Sequence, residues 1–425
     1  MRQDPLAYLA TELDSLRQQG LYRALRVLDD RQQATAHFDG RAVVNLSSNN
    51  YLGLTTHPKL IAAALQATKA FGVGSGSVRT IAGTMAIHME LERRLAAFKK
   101  TEAVVVFQSG FAANAGTVSA ILNKDDVIIS DELNHASIID GCRLSRAAIK
   151  VFPHKDVDAA RRIVRDLPAG QRKLLITDGV FSMDGDLGAV PDLCALAEEY
   201  GCIMMVDDAH ASGVFGDQGR GTIDHFHVHG RVDVQVGTLS KAVGALGGYV
   251  AGSRALVDFL YHRARPFLFS TSHPTAARQE PEIIDRLWEN TRFFKSGLVK
   301  LGFNTGLSES PITPVIAGEG SRAMKLSDRL WENTRFFKSG LVALGFNTGL
   351  SESPITPVIA GEGSLAMQLS DRLFQAGVFA QGLAFPTVAR DRARVRTIVT
   401  ATHTRGELQF ALDAFGKVGR ELGLI

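Results

Sequence analysis

Between residues 100 and 250 one pattern repeats: a short, wholly apolar run, a polar turn, then a stretch with helical spacing. AVVVFQ leads into SGFAANAGTVSAIL, DVIIS into HASIIDGCRL and KLLITDG into PDLCALAEEYG, with CIMMVDD after it. Runs that are apolar at every position suit strands buried on both faces, and helical connections let successive strands lie parallel. The pattern therefore predicts an α/β fold with a mainly parallel sheet flanked by helices. In such sheets ligands bind beyond the carboxyl ends of the strands, and the polar clusters of this chain fall there.

At 425 residues, 45% hydrophobic and 21% charged, the chain is long enough for two domains and a large core. A net charge of +3 creates no field for nucleic acid or a membrane surface, but leaves room for a local patch that binds a phosphorylated small molecule. The three cysteines, Cys142, Cys194 and Cys202, have neither CxxC spacing nor an even count, which argues against a disulfide framework or a metal site and for packing roles in a reducing compartment. MRQDPLAYLATELDSLRQQG mixes acids with apolar residues at helical spacing and reads as an amphipathic helix, not a signal peptide. No run reaches the roughly 18 apolar residues of a membrane span, so the expected location is the cytoplasm.

Residues 285–327 recur as 328–370 with three differences: Lys300 becomes Ala343, Arg322 becomes Leu365, and Lys325 becomes Gln368. Two nearly identical copies do not make a solenoid, which needs three or more diverged units with caps. A recent tandem duplication or an assembly artefact accounts for them better than a functional repeat does. Each copy holds a helix with an apolar face (Leu287, Thr291, Phe294 and Leu298 in the first) and then an extended PITPVIAG. The second copy runs directly into DRLFQAGVFAQGLAFPTV and is the one positioned to complete a C-terminal domain, with Leu365 better suited to a packed helix than Arg322.

Four clusters carry chemistry. In VGTLSKAVGALGGYVAG one amine, Lys241, lies among small apolar residues with no acid beside it. In a closed apolar pocket desolvation disfavours an ammonium, and a neutral amine can form a Schiff base; a lysine that snorkels to the surface fits TLSK equally well. MMVDDAHASGVFG brings Asp207, Asp208 and His210 to a strand end. A carboxylate there is costly unless a cation meets it, as a pyridinium nitrogen would, although either aspartate could instead cap the next turn. VVFQSGFAANAG places the amides of Ser109, Gly110 and Phe111 at a helix N-terminus suited to a phosphate. DELNHASIIDG opens a helix with His135, able to stack on an aromatic ring or to cap, and TDGVFSMDGD offers Ser182 from a loop.

Together these clusters resemble the α-oxoamine synthases, pyridoxal-phosphate enzymes of the type I aminotransferase fold. The nearest branch holds glycine C-acetyltransferase and 8-amino-7-oxononanoate synthase. The resemblance also rests on SSNNYLGL, GSGSVRTIAGT, RPFLFSTSHP and FPTVARDRARVRTIVTATHT. It spans residues 47–274 and resumes from about 328. It implies that Lys241 is the Schiff-base lysine and the base for the substrate α-proton, that Asp207 pairs with the pyridine nitrogen, and that His210 and Ser182 approach the ring hydroxyl. By the same resemblance His135 stacks on the ring, and Ser109, Gly110, Phe111 and Thr238 surround the phosphate. It further implies a homodimer with shared active sites, in which Thr271 and Ser272 reach the partner's phosphate. Arg396, or less closely Arg394, would grip the amino acid carboxylate, and Asn50 would contact substrate. The substrates implied are an amino acid and an acyl-CoA. DELNHASIIDG and TDGVFSMDGD read nearer the glycine enzymes, so glycine C-acetyltransferase is the first expectation and 8-amino-7-oxononanoate synthase the alternative.

The expected domains are a lead-in over 1–55, a large cofactor domain over 56–275, a shortened linker with the first repeat copy over 276–327, and a smaller α+β domain over 328–425. Family members continue after STSHP with a long apolar helix; here about three turns of it are missing. That departure keeps a catalytically weakened protein of the same fold in view, with the duplicated segment as an interaction surface. A dehydrogenase is disfavoured: GVGSGS follows a helical stretch rather than a strand, and no acid stands at the required distance.

Overall fold

The computed structural model describes residues 4–274, 322–385 and 387–425, and the chain falls into two units. The larger comprises 54–182 and 187–327; the smaller comprises 1–53, 183–186 and 328–425. The linker and nearly all of the first repeat copy lie outside the described residues, and so does the expected loss of helix after STSHP.

The larger unit is built on a seven-stranded sheet. Its strands are β1 (Ala103–Phe107), β2 (Val127–Asp131), β3 (Ala148–Phe152), β4 (Lys173–Asp178), β5 (Ile203–Asp207), β6 (Val234–Thr238) and β7 (Gly248–Gly252). They lie in the order β1-β7-β6-β5-β4-β2-β3, and β7 alone runs against its neighbours. The four apolar runs identified in the sequence are β1, β2, β4 and β5. Successive side chains feed opposite faces. Ile128, Leu174, Ile176 and Met205 join the core beneath helices α1 (Gly110–Ile121) and α2 (Ala136–Ser145), while Val127, Ile129, Leu175, Met204 and Val206 join the core on the other side. Burial on both faces is why these strands show no polar alternation.

All three cysteines are buried and unpaired. Burial pushes the Cys142 thiol up to about 12 and the Cys194 thiol up to about 11, which leaves them as inert packing groups.

In the smaller unit β8 (Ile355–Gly361), β9 (Gln381–Leu383) and β10 (Ala393–Ile398) form an antiparallel sheet in the order β8-β10-β9. A second small sheet joins Thr35–Phe38, Arg41–Asn45 and Val378–Phe379, so the N-terminal segment packs with the C-terminal residues instead of standing apart. The second repeat copy supplies both elements expected of it. Leu330, Thr334, Phe337 and Leu341, at helical spacing, are all buried on the helix Arg322–Ala343, and ITPVIAG is β8. Where the copies differ, Ala343 and Gln368 are exposed and Leu365 is half-buried. Lysine at either exposed position would meet water, whereas arginine in place of Leu365 would have to desolvate part of its charge.

Candidate active site

Five strand ends converge on one cavity of about 220 Å³ in the larger unit. Ser109 follows β1 and caps α1, its hydroxyl accepting from the N–H of Ala112 at 3.1 Å. The first turn of α1 leaves the N–H groups of Gly110 and Phe111 without intrahelical acceptors, so they can hold an anion at the cavity wall. A side chain at Gly248 would run into the backbone of Ser109 and Gly110, with 2.3 Å to the Ser109 carbonyl, so glycine there is what lets β7 lie against this turn. Thr238 ends β6 beneath Gly110 and donates its hydroxyl to the Gly247 carbonyl at 2.8 Å. Three residues on, Lys241 projects from the turn after β6 and lines the cavity, half-buried.

The centre of the site is acidic. Asp178 and Asp207 end the adjacent parallel strands β4 and β5 in register with each other, and both are buried. Asp207 Oδ1 accepts from the Ala209 N–H at 2.8 Å and Oδ2 accepts from Asn114 Nδ2 at 2.6 Å. Asp178 accepts from the His135 N–H at 2.9 Å. Burial, and then the neighbouring Asp207 charge, hold the Asp178 carboxyl well above the ordinary carboxylate range, against the opposing pull of the His135 N–H and the Lys241 charge. A buried carboxylate at Asp207, beside a second acid, suits a cationic guest. Asp208 turns away from the cavity: it accepts from the hydroxyl and N–H of Thr222 and pairs with the buried Lys99 at 3.2 Å.

Nine of the eleven residues expected to hold the cofactor line this cavity: Ser109, Gly110, Phe111, His135, Ser182, Asp207, His210, Thr238 and Lys241. The other two lie elsewhere in the larger unit. Thr271 is exposed and its carbonyl accepts from Gln108 Nε2 at 2.9 Å. Ser272 is buried, its hydroxyl 2.5 Å from that of Ser75 and its N–H donated to the Ser77 carbonyl, so its polar groups are engaged within its own chain.

Asn50, Arg394 and Arg396 belong to the smaller unit. Arg394, the less close of the two candidates for the carboxylate, has partners within the smaller unit. Its guanidinium is buried and donates Nη1 to Asp184 Oδ1 at 2.5 Å and to the Met183 carbonyl at 3.1 Å, which ties down the segment 183–186 and engages the group that a substrate carboxylate would need. Arg396, two residues along β10, lies beside Tyr51; burial lowers the pKa of its guanidinium, opposed by the tyrosine. Asn50 is buried, with Nδ2 donating to the Gln32 carbonyl.

Sequence reasoning passed over Asn114, Ser137 and Asp178. Asp178 carried the same signal as Asp207, an acid closing an apolar run. Asn114 was legible only as a polar residue inside an apolar helix.

The family model for class I and II aminotransferases matches residues 41–335 and again 322–415. The 8-amino-7-oxononanoate synthase of Symbiobacterium thermophilum is 54% identical, covering 98% of this chain and 99% of its own. The chain belongs to the α-oxoamine synthases. The enzyme of the same name from Thermoanaerobacter pseudethanolicus is 51% identical, over 99% of this chain and 98% of its own. Among solved structures, a serine palmitoyltransferase from S. paucimobilis with a bound PLP–myriocin aldimine superposes with a TM-score of 0.86 at 29% identity, over the whole of both chains. As an α-oxoamine synthase the protein is a pyridoxal-phosphate-dependent acyltransferase of the type I aminotransferase fold. The cavity fits that cofactor: amides that would hold its phosphate at one wall, the buried Asp207 carboxylate that would meet a protonated ring nitrogen at another, and the Lys241 amine that would meet its aldehyde. The relatives overturn the order of the two activities expected from sequence, because they are named for the alternative and not for glycine C-acetyltransferase.

Proposed function

We propose that the chain is an 8-amino-7-oxononanoate synthase, joining alanine to a pimeloyl thioester. The carrying observation is the 54% identity to a relative of that name over nearly the full length of both chains. The carbon count requires loss of carbon dioxide: three carbons from alanine and seven from the pimeloyl group exceed the nine of the product by one. A bond forms between the alanine Cα and the thioester carbonyl, the carbon–sulfur bond breaks, and the thiol departs with a proton.

When bound, pyridoxal phosphate supplies the electron sink that stabilises negative charge on the substrate Cα. In this proposal Lys241 Nζ takes the α-proton and returns one later, working from the turn after β6. Asp207 keeps a proton on the ring nitrogen, His135 covers one ring face, and Ser182 and His210 meet the ring hydroxyl. The N–H groups of Gly110 and Phe111 hold the phosphate. Arg396 is the proposed holder of the substrate carboxylate, which a guanidinium can grip bidentately.

Purified protein given alanine and a pimeloyl thioester is expected to release thiol and carbon dioxide at least ten times faster than thiol from glycine and acetyl-CoA. The opposite ranking would restore the glycine enzyme. Absence of thiol release from a yellow, borohydride-bleachable protein would mark a weakened enzyme of the same fold.

A homodimer belongs to the same proposal. Leu9, Leu13 and Leu16 share one face of the helix Tyr8–Gln18 and are exposed, and in the larger unit Ile81 and Phe269 are 82% and 71% exposed. Apolar surface of this kind suits coverage by a second copy. Sedimentation equilibrium should return twice the 45.8 kDa chain mass; a monomer at micromolar concentration would reject the shared site.

A further inference from the structure

Asn114 is fully buried and bonds to two residues of the cavity wall, Asp207 and Ser137, and none of the proposed steps uses it. It sits on the second turn of α1, fully buried, in a helix whose neighbouring positions are alanine, glycine, valine and threonine. Its Nδ2 donates in two directions, to Asp207 Oδ2 at 2.6 Å and to Ser137 Oγ at 2.9 Å. Ser137 Oγ in turn lies 2.7 Å from His135 Nδ1, which also accepts from the Ser137 N–H at 3.2 Å. One amide therefore links the carboxylate at the end of β5 to the imidazole that opens α2.

The orientation of the amide follows from its partner. A carboxylate oxygen only accepts, so the NH₂ group must face Asp207 and the carbonyl must point the other way. There it is buried and finds no hydrogen-bond partner among the described residues. A buried acceptor left unmade is uncommon in native proteins and calls for an explanation. Packing alone does not give one, since leucine or methionine would fill the volume without an orphaned oxygen. The backbone is arranged to permit the link. Helices α1 and α2 cross at Gly141, where an added Cβ would come within 3.1 Å of the Asn114 carbonyl and the Ala115 Cα. That close approach brings Ser137 within reach of Asn114.

We infer that Asn114 is a positioning residue for the cofactor: its amide holds Asp207 at the ring-nitrogen position and, through Ser137, sets His135 over the ring face. The inference rests on the reading of Asp207 as the partner of the ring nitrogen. Held this way, Asp207 has one oxygen on the Ala209 N–H and the other on the amide, and it lines the cavity. Ser137 N–H on Nδ1 makes that nitrogen an acceptor, so a neutral His135 carries its proton on Nε2.

The test is the affinity of the apoprotein for pyridoxal phosphate, followed by absorbance titration, for wild type, Asn114→Asp, Asn114→Ala and Asp207→Asn, with melting temperatures as a check on folding. Asn114→Asp keeps the shape and removes the donor; Asn114→Ala removes both. If the amide acts by donating, Asn114→Asp binds the cofactor at least ten-fold more weakly than wild type and no better than Asn114→Ala, and the visible band of the bound cofactor shifts. A packing role gives the reverse ranking, with Asn114→Asp near wild type, and overturns the inference. Loss of affinity in Asp207→Asn but in neither Asn114 variant overturns it while leaving the Asp207 reading intact. Unchanged affinity in all three variants removes the Asp207 reading and the inference with it.

Discussion

Lys241→Ala is expected to lose roughly 10²–10⁴-fold in turnover, the contribution ordinarily made by a positioned acid–base group, and to lose the borohydride-trapped adduct altogether. A second lysine of the larger unit, Lys99, is buried, paired with Asp208 and donates to the Arg220 carbonyl. Lys99 is therefore not free to substitute. Peptide mass mapping after hydride reduction should place the added mass on position 241. A wild-type adduct elsewhere, or a variant within ten-fold of the wild-type rate, would remove the proposed chemistry. The substitution also takes away a cation that draws the Asp178 carboxyl downward, so that group should hold its proton to a still higher pH in the variant.

The largest effect on stability is expected at Glu92. Its carboxylate, 3% exposed, accepts from Arg79 Nη1 at 2.9 Å and Nη2 at 3.1 Å, from the Val106 N–H at 3.0 Å and from the Tyr261 hydroxyl at 3.0 Å. Arg79 is 5% exposed and begins the segment Arg79–Gly83. Glu92→Ala leaves the guanidinium buried without its countercharge and strips a β1 amide and a tyrosine hydroxyl of their acceptor. Removing one partner of a buried pair costs about 3–5 kcal/mol. Urea denaturation should show that loss, and the double variant Arg79→Met/Glu92→Met should recover part of it, because no isolated charge then remains. A loss below about 1 kcal/mol would place the pair among weakly contributing surface-like bridges.

Much of this protein could be read without coordinates, for a specific reason. Strands covered on both faces must be apolar throughout, so β1, β2, β4 and β5 announce themselves as unbroken runs, and the first polar residue after each run falls where the sheet opens to a ligand. That rule brings Ser109, His135 and Asp207 into view, the isolation of one amine among small apolar residues points to Lys241, and all four line one cavity. It applies equally to Asp178, the acid that closes the run KLLITD. The second repeat copy was likewise legible, since Leu330, Thr334, Phe337 and Leu341 share one helical face and all are buried.

Local sequence determined the α/β architecture and the strand-end residues, because these follow from periodicity and from which charges a buried strand end tolerates, and the motifs together carried the family resemblance that implied the cofactor. Tertiary structure alone decided that Arg394 is bound to Asp184 while Arg396 lies beside Tyr51, that the hydroxyl of Ser272 turns to Ser75, and that Asn114 joins Asp207 to Ser137. Each of these depends on a contact between residues far apart in the chain or on neighbouring helices. Such a contact leaves no trace in the spacing of either partner, and only the packed backbone says which of two similar side chains meets it.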